Sequence, residues 1–246
     1  MFVIAGFVVL VGMAYIYNAS RRFRESLNRS VLNSYNFFAD VRDQRIVSLG
    51  HSTLIGAVVS VSAAIVIASI LFRFRDNLVL DNILSYLLIG DVPKKAAIAL
   101  IWNPLLCIGA GAGILFAGLL LLSGIVHFLR VFVRARIFPF HAFTIVMWST
   151  SPLLVLVPVG MILYRVMENS AYVIPVFILC GGLAFWVYLR LLKGISIVLD
   201  VLPGKVYAFG LLAVVASGGV LYAYYDYTQA VPMHVAYLLS TLVHLQ

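Results

Sequence analysis

The chain has 246 residues, of which 63% are hydrophobic and only 11% are charged. Average soluble domains carry about 25% charged residues, so a soluble fold of this length could not bury so much apolar surface. The composition therefore excludes a soluble domain and predicts an all-α, polytopic transmembrane helical bundle. The net charge of +8 is typical of basic loops on the cytoplasmic side of a membrane. No basic patch interleaves with aromatic residues outside the apolar runs, so no nucleic-acid partner is expected.

Six apolar runs predict transmembrane helices, each of which needs about 20 residues to cross a bilayer. They cover residues 2–17, 52–72, 105–128, 142–164, 172–189 and 207–224. The first run is short, and its positive charges follow it, which is the reverse of a signal peptide. It is therefore predicted to be a retained anchor.

The basic residues predict the orientation of these spans. Twelve of the 17 Lys and Arg residues fall in the loops after the first, third and fifth spans, and Arg190 and Lys193 are counted in the last of these loops. Basic loops stay on the cytoplasmic side. Both termini are therefore predicted to lie outside, in a protein of the bacterial inner membrane.

Four segments are predicted along the chain, at residues 1–51, 52–101, 102–224 and 225–246. Within the first, residues 18–51 are rich in arginine, and Leu27, Val31 and Leu32 fit one helix face. We interpret this segment as a positive-inside linker, with a surface helix that contacts lipid or a partner as the alternative.

Residues 76–90 alternate polar and apolar positions at helical spacing and predict a short helix in the outer interface, which Gly90 and Pro93 end.

Small residues recur every four positions on two spans. They are Ser52, Gly56, Ser60, Ala64 and Ala68 on the second span, and Gly109, Gly113 and Ala117 on the third. Small side chains at this spacing let two helix backbones approach closely. The pattern predicts where helices pack, either within one chain or between two copies.

The fourth span contains a Ser149–Thr150–Ser151–Pro152 sequence. Proline removes a backbone hydrogen bond and kinks a helix, and neighbouring hydroxyls can satisfy the freed carbonyls. We expect a structural kink packed in protein, because no charged residue is predicted at this depth on another span. The alternative is that these three hydroxyls line a solute path, as broken helices do in transporters.

A basic rim is predicted at the inner end of the third span, where it could bind lipid phosphates or serve only as a positive-inside anchor. Its members are His127, Arg130, Arg134 and Arg136. Neither this rim nor the two membrane-buried cysteines, Cys107 and Cys180, has the spacing of a metal site. No nucleophile, phosphate-loop or metalloprotease motif occurs, so neither an enzyme nor a cofactor is predicted.

Residues 102–221 resemble the Yip-domain family of multi-span membrane proteins, named for their interaction with Ypt/Rab GTPases. The resemblance rests on Trp102–Asn103–Pro104, on His127–Phe128–Leu129–Arg130, and on Leu189–Ile195 followed by Asp200 and Pro203–Tyr207. This block has four predicted spans where the family has about five. The resemblance implies a non-enzymatic membrane organiser and assigns no functional residue.

The sequence as a whole predicts a non-catalytic membrane scaffold or accessory subunit. Its expected partners are the lipid bilayer and either other membrane proteins or further copies of the chain. A small-solute permease or channel subunit that uses the kinked fourth span is the alternative.

Overall fold

The computed structural model describes residues 1–43, 48–88, 90–129 and 138–229. This part of the chain is helical and contains no strand. In chain order the helices are α1 (Phe2–Ala19), α2 (Arg21–Leu32), α3 (Ser34–Arg42), α4 (Leu49–Arg73), α5 (Leu78–Leu87), α6 (Asp91–Trp102), α7 (Pro104–Phe128), α8 (Pro139–Ser149), α9 (Leu156–Val166), α10 (Val173–Leu199) and α11 (Pro203–Gln229). The prediction of an all-α polytopic bundle is confirmed.

Six segments are long and apolar enough to cross a membrane, as predicted. They are α1, α4, α7, the composite of α8 and α9, α10 with the short turn before it, and α11. The second and third spans match their predicted limits closely. The fifth is longer than predicted, because α10 continues from residue 189 to Leu199. The predicted tail at 225–246 begins inside α11, and residues 230–246 lie outside the described ones.

Helix α4 is the central span, and α7 packs against it in the opposite direction. Near one end of the bundle Gly111 of α7 lies beside Ala64, and a Cβ on Gly111 would be 3.4 Å from the Cβ of Ala64. Phe2 of α1 packs there against Phe72 and Tyr164, with ring centres 5.7 and 6.3 Å away. We call this the far end of the bundle. The opposite end, which carries α2 and α3, is called the hairpin end.

The predicted small-residue seam on α4 faces protein along its whole length. Ser52, Gly56, Ser60, Ala64 and Ala68 are all buried. The α7 seam does not pack within the chain: Gly109, Gly113 and Ala117 are exposed, and nothing lies within 4 Å of a Cβ built on either glycine. Of the two predicted alternatives, packing inside this chain does not apply to these three residues, and packing between two copies stays a prediction. Gly111, two positions from each glycine, makes the contact with α4 instead.

The arginine-rich segment after α1 is a helical hairpin, α2 and α3, that packs into the bundle. Phe23, Phe37 and Phe38 are almost completely buried, whereas Leu32, which was predicted to lie on an apolar face, is 80% exposed. An ion pair between Arg29 and Asp40 joins the two helices. The interpretation of residues 18–51 as a linker is wrong, because their aromatic residues belong to the same core as residues of α8 and α10.

The short helix predicted within residues 76–90 is present as α5, and a second helix, α6, begins at Asp91. The position of α5 in the membrane interface stays a prediction. Gly90 adopts a φ of +105°, a conformation that favours glycine, and begins α6 as its N-cap residue. Pro93 lies in the first turn of α6, where its missing N–H costs no intrahelical hydrogen bond. Helix α5 ends at Leu87, with Leu88 as its C-cap residue, whereas Gly90 and Pro93 both belong to the start of the next helix.

The orientation in the membrane can be tested by cysteine labelling in a variant without Cys107 and Cys180. Cysteines at Arg29 and Lys193 should be shielded from an impermeant reagent in intact cells, and one at Asn169 should react. The Arg29 side chain is 55% exposed, so its protection would report the side of the membrane rather than burial in protein. Labelling of the Arg29 position from outside would overturn the predicted orientation.

Candidate functional site

The fourth span breaks at its central proline. Helix α8 ends at Ser149, a 3-10 segment runs from Ser151 to Val155, and α9 continues the span. Pro152 has no N–H to give to the preceding turn, so the α-helix cannot continue through it. The Thr150 hydroxyl donates to the carbonyl of Met147 at 2.7 Å. The predicted kink is present, and a neighbouring hydroxyl satisfies a carbonyl of the broken turn.

The last turn of α2 contacts this kink. The Ser30 and Ser151 hydroxyl oxygens lie 3.2 Å apart, and Ser30 also donates to the carbonyl of Leu27 at 2.9 Å. A serine hydroxyl has one hydrogen. Since that of Ser30 is given to Leu27, Ser151 is the donor in the contact between the two serines. The kink is thus hydrogen-bonded to the hairpin.

Arg190 of α10 contacts the same turn of α2. Its Nη2 donates to the carbonyl of Ser30, and the whole residue is only 6% exposed. Ser30 lies in the last turn of α2, where carbonyls lack intrahelical partners and carry the negative end of the helix dipole. Among the residues that the structure describes, no carboxylate lies within ion-pair distance of Arg190. The counter-charge of this buried cation is therefore the carboxyl end of a helix.

Arg190 corrects two expectations. The sequence placed it in a loop, but it lies in α10, nine residues before Leu199 and so about 13 Å from that end of the helix. The expectation that no charged residue lies at this depth on another span is also wrong, because Arg190 of α10 binds Ser30, the residue that contacts Ser151. The signal that could have revealed it is the continued apolar pattern beyond residue 189, because Leu191, Leu192 and Ile195 are buried with it.

Two polar atoms of the site have no hydrogen-bond partner among the described residues. They are the hydroxyl oxygen of Ser149 and the Nε of Arg190, both shielded from solvent. Ser149, Thr150 and Ser151 are 0%, 8% and 1% exposed. The site is therefore a packed contact of hydroxyls and one guanidinium. Such donors can bind a carbonyl or an anion. Among the described residues, no three His, Cys, Asp or Glu side chains lie close enough together to hold a metal ion.

The two serines at the kink should respond differently to alanine. Ser151→Ala removes a buried hydrogen bond to Ser30 and should cost about 0.5–1.5 kcal/mol of stability. Ser149→Ala removes a buried hydroxyl that has no partner and should be neutral or slightly stabilising. Chemical unfolding in detergent measures both. Because Ser30→Ala also removes the hydrogen bond to Leu27, coupling of the two hydroxyls is expected as a loss in the Ser30→Ala/Ser151→Ala double variant that is smaller than the sum of the two single losses. Equal losses for Ser149→Ala and Ser151→Ala would contradict the assigned hydrogen bonds.

Of the four residues of the predicted basic rim, only His127 lies within the part of the chain that the structure describes. This residue lies in the last turn of α7, and its Nδ1 is buried without a partner among the described residues. Arg130, Arg134 and Arg136 lie outside the described residues. Contact of this rim with lipid head groups stays a prediction.

No family model, curated protein or solved structure matches this chain. The resemblance of residues 102–221 to the Yip-domain family therefore stays a prediction.

Proposed function

We propose that this protein is a non-catalytic integral membrane scaffold or accessory subunit that binds other membrane proteins or lipids. The observation that carries the proposal is the outward face of α7. Gly109 and Gly113 form a G-x-x-x-G pair, continued by Ala117, and all three are exposed. In a bilayer, close backbone approach at such a face favours association with another helix.

The interior contacts support the same function. Ser151 and Arg190 use their hydrogen bonds to hold α2 against the bundle, so these donors stabilise the protein itself. Helix α11 adds a second outward surface, with Phe209, Leu212 and Val215 each more than 60% exposed. Apolar surface in this position is available to lipid or to a neighbouring span.

Site-specific photo-crosslinking in native membranes tests the α7 face. A benzophenone attached to a cysteine at Gly113, in a variant without Cys107 and Cys180, should give discrete crosslinked bands, either with other copies or with another membrane protein. A probe at Ile114, which is 71% exposed but lies on a different side of α7, is the matched control. Gly109→Leu should remove the bands. Identical crosslinking from positions 113 and 114 would contradict a specific helix contact.

The permease alternative is favoured by one observation: Arg190 Nε and the Ser149 hydroxyl are buried near the kink without partners. A positively charged donor and an unpartnered hydroxyl in the same buried site suit a small anion. Uptake of labelled chloride or phosphate into proteoliposomes, abolished by Ser149→Ala without loss of stability, would support this alternative over the scaffold. Absence of flux supports the scaffold.

A further inference from the structure

A cavity of about 260 Å³ lies at the far end of the bundle, where the second span passes into α5 and α6 leads back to the third. Its polar lining includes Arg75, Asp76 and Asp81, and its apolar lining includes Leu80, Leu84 and Trp102. Sites for drug-sized molecules measure about 300–1,000 Å³. The cavity is therefore large enough for a small polar group and too small for a whole lipid.

Arg75 is held in a fixed position in this cavity. Its guanidinium carbon lies 4.1 Å from the ring centre of Phe72 and 4.7 Å from that of Trp102. Its Nε donates to Asp76 at 3.2 Å, while its two terminal nitrogens have no hydrogen-bond partner among the described residues. A guanidinium fixed in this way presents paired N–H groups, which suit the oxygens of a phosphate.

The carboxylates supply the opposite charge. Asp81 is oriented by Lys94, whose Nζ lies 2.8 Å from one of its oxygens and 2.7 Å from the Ser85 hydroxyl. Lys94 does not line the cavity and pairs with only one oxygen of Asp81, so the second oxygen of Asp81 and the carboxylate of Asp76 remain as acceptors in a lining that also contains Arg75. A ligand that complements this set carries a phosphate and a cationic group that can donate hydrogen bonds to a carboxylate.

The position of the cavity indicates where such a ligand comes from. It lies just beyond Arg73, the last residue of α4, and just before Pro104, the first residue of α7, and so at the level where two spans leave the membrane. Leu78, Ile83 and Leu87 of α5 are 79%, 41% and 54% exposed, which is typical of a helix lying in the lipid interface. The nearest source of a phosphate joined to a cation is therefore the lipid itself.

We propose that this cavity binds the head group of a zwitterionic aminophospholipid. The phosphate lies against the terminal nitrogens of Arg75, the primary ammonium donates to Asp76 and Asp81, and the acyl chains leave over the leucines of α5. A choline head group has no N–H to give to these carboxylates and is bulkier, so the site discriminates against it. This inference does not depend on the α7 face, and either can fail alone.

Quenching of Trp102 fluorescence tests the proposal on the full chain in vesicles. Trp186→Phe removes the other exposed tryptophan, and the buried Trp148 contributes a constant signal. In phosphatidylcholine vesicles, a small fraction of phosphatidylethanolamine brominated on its acyl chain should quench Trp102 several-fold more than the same fraction of brominated phosphatidylcholine. Equal quenching by the two lipids would overturn the proposal.

Variants separate the site from general lipid contact. In the Arg75→Gln and Asp81→Asn variants, the two brominated lipids should quench Trp102 equally. Asp91→Asn, at an exposed acid of α6 that does not line the cavity, should keep the preference. Because Arg75→Gln could also displace Trp102, retention of the aminophospholipid through purification, read by native mass spectrometry, provides a second measurement. Preference retained in both Arg75→Gln and Asp81→Asn would overturn the assignment. Addition of soluble phosphoethanolamine at micromolar concentration is the last test. If it abolished the difference in quenching between the two lipids, the assignment would also be overturned, since the ligand would then be a free solute.

Discussion

Replacing Trp148 with alanine is expected to lower the free energy of unfolding by about 3–5 kcal/mol, the usual cost of truncating a large buried aromatic residue. Trp148 is completely buried in α8, between Phe37, whose ring centre is 5.1 Å away, and Phe23, at 6.2 Å. Its indole N–H also donates to the Ser52 hydroxyl at 2.9 Å. The truncation therefore removes the surface on which the α2–α3 hairpin packs and leaves a buried hydroxyl without this donor.

Loss of this surface should release the hairpin before the spans separate. Limited trypsin digestion should cut the Trp148→Ala variant at Arg21, Arg22, Arg24 or Arg29 much faster than the parent protein, while thermal unfolding in detergent measures the loss of stability. Trp148→Phe should lose only about 0.5–1.5 kcal/mol with the hydrogen bond, together with a small packing change. Trp186→Ala is the matched control, because Trp186 is 51% exposed on α10. Equal digestion of the Trp148→Ala and Trp186→Ala variants would contradict the packing described for Trp148.

Gly160→Leu is the second substitution with a large expected effect. A Cβ at this position of α9 would lie 2.9 Å from the Cγ2 of Ile65, 3.1 Å from that of Val66 and 3.4 Å from the backbone nitrogen of Val66. Side chains can adjust, but the backbone of α4 cannot move without shifting the whole span. We expect a loss of about 1–3 kcal/mol, the usual range for overpacking, with a larger loss if α4 and α9 separate.

The control for Gly160→Leu is the same substitution at Gly113. A Cβ on Gly113 meets nothing within 4 Å, so leucine there should leave monomer stability almost unchanged. Unfolding of the purified monomer in detergent compares the two variants without a contribution from a partner. If Gly113→Leu were as damaging as Gly160→Leu, the outward orientation of that face would be wrong.

The spans could be predicted because the bilayer requires long apolar runs, and such runs are visible in composition alone. Which face of a span packs is not visible in this way. On α7, Gly111 contacts α4 while Gly109 and Gly113 face outward, and two positions along a helix correspond to a rotation of about 200°. With glycines on both sides of the helix, the spacing alone could not decide between them.

The hairpin and its contact with Arg190 could not be predicted for a different reason. Charged residues outnumber apolar ones in α2, which is typical of a solvated segment, and only the tertiary structure buries Phe23 and Ser30. Arg190 likewise ended an apolar run in the sequence, where a basic residue usually marks a loop. Its burial depends on a carbonyl located 160 residues earlier in the chain. The kink at Pro152 was predictable because proline acts locally.

The distance in sequence between Ser30 and Arg190 also sets an order of events during synthesis. Ser30 and Arg190 are 160 residues apart, so at roughly 5–20 residues per second about 8–32 s pass between the synthesis of α2 and that of its buried cation. Ser151 is made somewhat earlier, 121 residues after Ser30. Until α8 is made, the aromatic residues of the hairpin lack Trp148 and have only α1, α4 and α7, the spans already synthesised, to pack against. The contact between Ser30 and Arg190 therefore forms only after the fifth span has been made, and a chain that stalls before Arg190 lacks it.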